Sequence, residues 1–218
     1  MNILVLCDDL WHPGEVIRRG LTPLEKEGFT LDFVCDAKDI LTKSMLDDYD
    51  VIISAKGNAL NCGNASAPWF EDEVTAVMPE DFRAWTEAGG GFIALHAGNT
   101  YSMARRPDMA SFIGNEFLGH PRQCPIGLEI TAEHPVTAGV KNFTFRDEHY
   151  QLKMLAEDAR PLFDTVSEAG GRQPGGYVRE MGKGRLCVLT PGHNCAVLRH
   201  PLFQRLLSNA IRWCGKKL

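Results

Sequence analysis

The chain has 218 residues, 44% hydrophobic and 23% charged, with a net charge of −5 at neutral pH. That size and composition suit a globular protein with a large buried core. The acidic balance argues against nucleic acid or an anionic membrane as the main partner, and no apolar run approaches the roughly 20 residues that span a bilayer.

From the amino end, residues 2–7 form a continuous apolar run, as a strand buried on both faces should. Because the chain turns acidic after six residues, this reads as a first strand and not a signal segment. A polar loop follows over 8–14. Ile17, Leu21 and Leu24 recur at helical spacing, with Pro23 forcing a kink or restart and Gly28 ending the run. Residues 30–35 and 50–54 read as the second and third strands, with a short helical segment near 42–47 between them. The stretch 56–68 is rich in Gly, Asn, Ala and Ser and reads as loop. A helix is predicted over 80–88, burying Phe82 and Trp85. Gly89, Gly90 and Gly91 close it and open the fourth strand. Residues 105–118 read as helical, beginning at an exposed Arg105–Arg106 pair.

In the second half, 126–131 and 177–181 alternate like half-exposed strands. Residues 185–190 read as another buried strand, with a Pro-Gly-His-Asn loop at its end. The last helix has Pro201 in its first turn and Phe203, Leu206, Leu207, Ala210, Ile211 and Cys214 on one face. With no internal repeat or linker, one domain over 1–218 is expected. The seven cysteines are odd in number and include no Cys-x-x-Cys pair, which fits a reduced cytoplasmic protein. Cys7, Cys35 and Cys187 lie in strand-like runs and read as small core hydrophobes.

The alternation of strands and helices predicts an α/β fold with a mainly parallel sheet. Such sheets carry reactive groups at the carboxyl ends of their strands. His96 sits at the tip of a tight turn after the fourth strand, as a nucleophile does at a hydrolase elbow. An imidazole there suits metal binding or proton transfer. His193 follows the same pattern, and His12 lies in the first loop between Trp11 and Pro13. If the strands are parallel, these loops share one rim. The alternative for each histidine is a structural role. Between residues 146 and 150 two carboxylates, a histidine and a tyrosine crowd together, as acid–base groups, metal ligands or a salt-bridged turn. Alternation sends Glu148 and Tyr150 to one face and Asp147 and His149 to the other, and Glu148 is the favoured site residue. Asp8 or Asp9 could orient His12, bind a hydroxyl or cap a turn. His120, His134 and His200 read as loop or cap residues. No phosphate-binding glycine motif and no His-Glu-x-x-His is present, so no nucleotide cofactor is expected.

Residues 89–98, 134–140, 147–150, 177–185, 191–193 and 209–213 together resemble the ThuA-like (trehalose utilization) family, over nearly the whole chain. The resemblance implies a class I glutamine amidotransferase-like, flavodoxin-like three-layer sandwich. In that superfamily a cysteine occupies the elbow, with a histidine and a glutamate later in the chain. Here His96 stands at the elbow, which argues against glutamine hydrolysis. Cys62 and Cys195 follow no strand directly, so a thiol mechanism ranks last. The family is associated with breakdown of trehalose and related disaccharides and with 3-keto sugars. The expectation is a metal-assisted hydrolase, lyase or isomerase acting on a small carbohydrate. Its catalytic residues would be His96, Glu148 and His193. A divalent ion such as zinc would sit on His12, His96 and His193. Asp9, Trp11, Asn99 and Tyr150 would bind substrate. The alternative is a non-catalytic carbohydrate-binding or regulatory protein on the same scaffold. A homo-oligomer is compatible with either, though no interface is specified.

Overall fold

The computed structural model describes residues 1–217, with the side chains of all but residues 65 and 66. In chain order the elements are β1 (Asn2–Leu6), α1 (Gly14–Leu21), β2 (Thr30–Val34), α2 (Ala37–Ile40), β3 (Val51–Ser54), β4 (Ala59–Asn61) and β5 (Asn64–Pro68). Then come α3 (Pro79–Ala88), β6 (Gly91–Leu95), α4 (Pro107–Ile113), β7 (Asn115–Gly119), β8 (Cys124–Ile130), β9 (Phe143–Asp147) and β10 (Gln151–Met154). The remainder is β11 (Arg160–Ser167), β12 (Gly171–Met181), β13 (Gly184–Leu189), α5 (Cys195–Leu198) and α6 (Pro201–Cys214).

Nine strands form one mixed sheet in the order β2-β1-β3-β6-β13-β12-β11-β8-β9. Neighbours from β2 to β13 run parallel, and from β13 to β9 each pair is antiparallel. Alternate side chains of each strand face opposite sides. Ile3, Val5, Ile53, Ile93 and Leu189 therefore pack with α1 and α6. Leu4, Leu6, Ile52, Phe92 and Val188 pack with Phe82 of α3 and Phe112 of α4. Burial on both faces explains why these strands read as continuous apolar runs. The result is the expected α/β architecture, a parallel core flanked by helices.

Several sequence expectations need correction. The helix expected over 105–118 stops at Ile113, because Gly114 adopts a left-handed φ of +94°. The chain then turns into β7, which pairs antiparallel with β10. The stretch 56–68 is not all loop, since β4 and β5 form a hairpin within it. Trp85 is half-buried, stacked over Gly90, where any Cβ would collide with its ring. Cys35 is likewise only half-buried, whereas Cys7 and Cys187 lie in the core. Strand β12 begins six residues before the expected 177–181 segment and is buried on both faces over 175–178. Among the described residues no helix is long and apolar enough to cross a membrane.

Candidate active site and metal centre

The site lies at the carboxyl ends of β1, β6 and β13, where the parallel half of the sheet meets the loop after β9. His96 leaves β6 with φ +43°, a left-handed conformation uncommon for a residue with a side chain. The turn it opens, His96–Asn99, packs directly on β3. A Cβ at Gly98 would lie far inside contact distance of the Ser54 carbonyl oxygen, so only glycine fits. Asn99 is wholly buried behind this turn. Its amide donates to the carbonyls of Ala94, His96 and Leu189, tying the turn to β6 and β13.

Two of the imidazoles are oriented from behind. His96 Nδ1 donates to the Thr190 carbonyl at 2.8 Å, which leaves the Nε2 lone pair facing the site. Tyr150 Oη donates to that Nε2 at 2.9 Å. His12 Nδ1 donates to Asp9 Oδ1 at 2.7 Å, so its Nε2 also faces inward. That Nε2 is buried and has no hydrogen-bond partner among the described residues. Asp9 accepts further bonds from the amides of Trp11, His12 and Gly57. Burial would raise the Asp9 carboxyl, but His12 and these amides outweigh it and hold it below the usual carboxylate range. Burial pushes His12 below the ordinary imidazole value, against the pull of Asp9. Asp9 therefore sits behind His12 as its orienting partner.

Glu148 enters from the antiparallel half. Its Oε2 lies 3.1 Å from His193 Nδ1, 3.4 Å from His96 Nε2 and 3.6 Å from His120 Nε2. Burial disfavours its charge, yet the neighbouring His193 outweighs burial and holds the carboxyl well below the usual range. Glu148 in turn raises His193. Asp147, wholly buried, fixes this junction. It accepts from the amide of Glu148 at 2.9 Å and of Gly192 at 2.8 Å, joining the end of β9 to the loop that carries His193. His149 points away and bonds Ser167 and Thr165, so the alternation expected of 147–150 is what the chain adopts.

One ligand atom from each of His12, His96, Glu148 and His193 lies within 4.8 Å of the others. Three imidazoles and a carboxylate, with a carboxylate behind one imidazole and a backbone carbonyl behind another, can hold a divalent ion. A cavity of about 1130 Å³ opens above them, with Trp11 at its mouth, 73% exposed. His120, expected to be a plain loop residue, lines this cavity beside Glu148. The only signal that could have found it was its place one residue after β7, a strand hidden in a helix-like stretch. His134 and His200 cap the turn Pro135–Thr137 and α6, as expected. Among the described residues no cysteine joins the cluster, and Cys62 is exposed on the hairpin.

A mixed sheet with a parallel core, flanked by helices and with a tight turn after a central parallel strand, is the class I glutamine amidotransferase-like fold, here with an imidazole in that turn. Within that class the chain belongs to the ThuA family, trehalose utilisation, whose pattern matches residues 10–214. It superposes on a thua-like protein from Parabacteroides merdae ATCC 43184 with TM-score 0.76 at 20% identity, covering 100% of this chain and 90% of that one. For a cytoplasmic protein from Salmonella typhimurium LT2 the TM-score is 0.72 at 14% identity, covering 98% and 99%. PurLQS from Thermotoga maritima gives 0.65 at 16% identity, covering 97% and 98%. No curated protein matches the chain.

Proposed function

We propose that this protein is a metal-assisted enzyme of carbohydrate breakdown, acting on a disaccharide or its 3-keto derivative as a hydrolase, lyase or isomerase. The observation that carries the reading is the buried, unpartnered Nε2 of His12, facing His96, His193 and Glu148. A desolvated lone pair without a donor is costly unless something fills the space before it. His12, His96 and His193 would hold a divalent ion such as zinc. When bound, such an ion polarises a carbonyl or lowers the pKa of a water molecule. Glu148 is kept ionised by the neighbouring His193, so it can take a proton from a carbon beside a sugar carbonyl or from water. Tyr150 offers a hydroxyl proton to substrate once the His96 lone pair is engaged. Trp11 supplies an exposed aromatic face against which a sugar ring can stack. The family's association with trehalose utilisation supports a carbohydrate ligand. A cytoplasmic setting is in keeping with the Salmonella relative.

Elemental analysis of the purified protein, with turnover of 3-keto-disaccharides before and after chelation, tests this reading. Zinc or a similar ion near one equivalent is expected, with turnover lost on chelation and restored by metal. Absence of metal together with unchanged turnover overturns it. Tight binding of intact disaccharides without turnover assigns the chain to a carbohydrate-binding role instead. Protons compete with the ion for the imidazoles. Glu148 raises His193, so His193 is the first to protonate on acidification, while burial keeps His12 neutral. Metal affinity is therefore full above the raised His193 value and falls as the pH drops through it, starting at a higher pH than for an ordinary histidine.

Asp9→Asn keeps the size of the side chain but removes the charge behind His12. It is expected to weaken zinc binding by about 10- to 100-fold, the usual effect of losing an orienting partner. Competition against a colorimetric chelator measures this.

A further inference from the structure

We infer that the cavity takes an anionic sugar, one bearing a carboxylate or phosphate, with Arg105 as the residue that selects it. The inference rests on the carbohydrate reading above and adds to it that the sugar also bears an acid group. Among the lining groups only two are carboxylates, Asp9 and Glu148, and both are committed, Asp9 to His12 and three amides, Glu148 to the histidines. Beyond these two, both at the histidine centre, the described lining residues offer no carboxylate to accept hydrogen bonds from the hydroxyls of a neutral sugar. Free donors are present instead. Arg105 is exposed on the wall, and its guanidinium makes no hydrogen bond or ion pair among the described residues. Its neighbour Arg106 is occupied by Asp108 and lies over the Phe70 ring, so it holds the wall in place and leaves Arg105 as the available cation. Asn58 spends its carbonyl oxygen on the Phe70 amide, which leaves its NH₂ as a further donor. A guanidinium presents a planar fork that matches carboxylate or phosphate oxygens bidentately. A divalent cation in the centre below would offset the charges of Asp9 and Glu148 and leave that of Arg105 in excess.

Calorimetric titration of the zinc-loaded protein with glucose, glucuronate and glucose 6-phosphate tests this. The charged sugars are expected to bind about tenfold or more tightly than glucose, the ordinary gain of one charge-assisted contact. Arg105→Ala is expected to erase that preference while zinc binding stays unchanged, and Arg105→Lys to keep part of it. Glucuronate alone gaining affinity identifies a sugar acid, and glucose 6-phosphate alone identifies a sugar phosphate. A charged-sugar preference that survives Arg105→Ala means that the zinc ion holds the anion, and it overturns the role of Arg105. Glucose binding as tightly as both charged sugars overturns the inference but leaves the carbohydrate reading standing. Failure of every one of these sugars to bind overturns the anionic-sugar inference, and the carbohydrate reading falls with it only if 3-keto-disaccharides are neither bound nor turned over.

Discussion

His96→Asn is expected to leave a folded protein that binds zinc at least about a hundredfold more weakly, beyond the range lost with an orienting partner alone. The choice of asparagine matters. His96 has φ +43°, and asparagine is among the few residues that tolerate that region. The variant keeps the turn and removes only the imidazole whose Nε2 faces His12 and Glu148. Its melting temperature should stay within a few degrees of the parent. His96→Ala would lose the same ligand and add about 1 kcal/mol of left-handed strain, which separates the loss of the ligand from damage to the turn. Metal titration followed by thermal unfolding reads both. Unchanged zinc affinity in His96→Asn removes His96 from the centre.

Gly98→Ala is expected to be the most damaging small substitution near the site. The added Cβ would fall on the Ser54 carbonyl oxygen, a backbone atom at the end of β3 that cannot rotate away. Either the turn lifts from the sheet or β3 shifts against β6. Overpacking against fixed backbone costs about 3 kcal/mol at the upper end of the usual range. For a chain of this length that corresponds to a fall in melting temperature of roughly 6–12 °C. Because the turn begins at His96, metal affinity should fall with it. A melting temperature within a degree of the parent would mean that the turn is not seated as described.

The parallel half of the fold was legible because its strands are buried on both faces and end in glycine-containing turns. Residues 2–7 and 91–95 announce themselves by composition alone. The antiparallel half was not. β9, β10 and β11 mix charged and apolar residues, and their pairing depends on partners far along the chain. β7 was lost inside an apparent helix because Phe112, Ile113 and Phe117 mimic helical spacing. That error concealed His120. At the site, His12, His96 and His193 are legible from where their segments end, and Glu148 from the crowding of residues 146–150 and their alternation. Asp147 was set aside as facing away from the site, yet it fastens the two halves together through backbone amides, a role no local pattern encodes. Asn99 was expected at the substrate. It lies instead behind the turn, holding three carbonyls.

The position of β13 also sets the order in which this chain can mature. It is the last strand to leave the ribosome among those described, yet it lies mid-sheet between β6 and β12. Until it emerges, two half-sheets wait with open edges, and such long-range closure is intrinsically slow. His193 lies just beyond this keystone strand, so a translating chain cannot yet present the full ligand set. An ion held by all four of these side chains could therefore be bound only after β13 has been made.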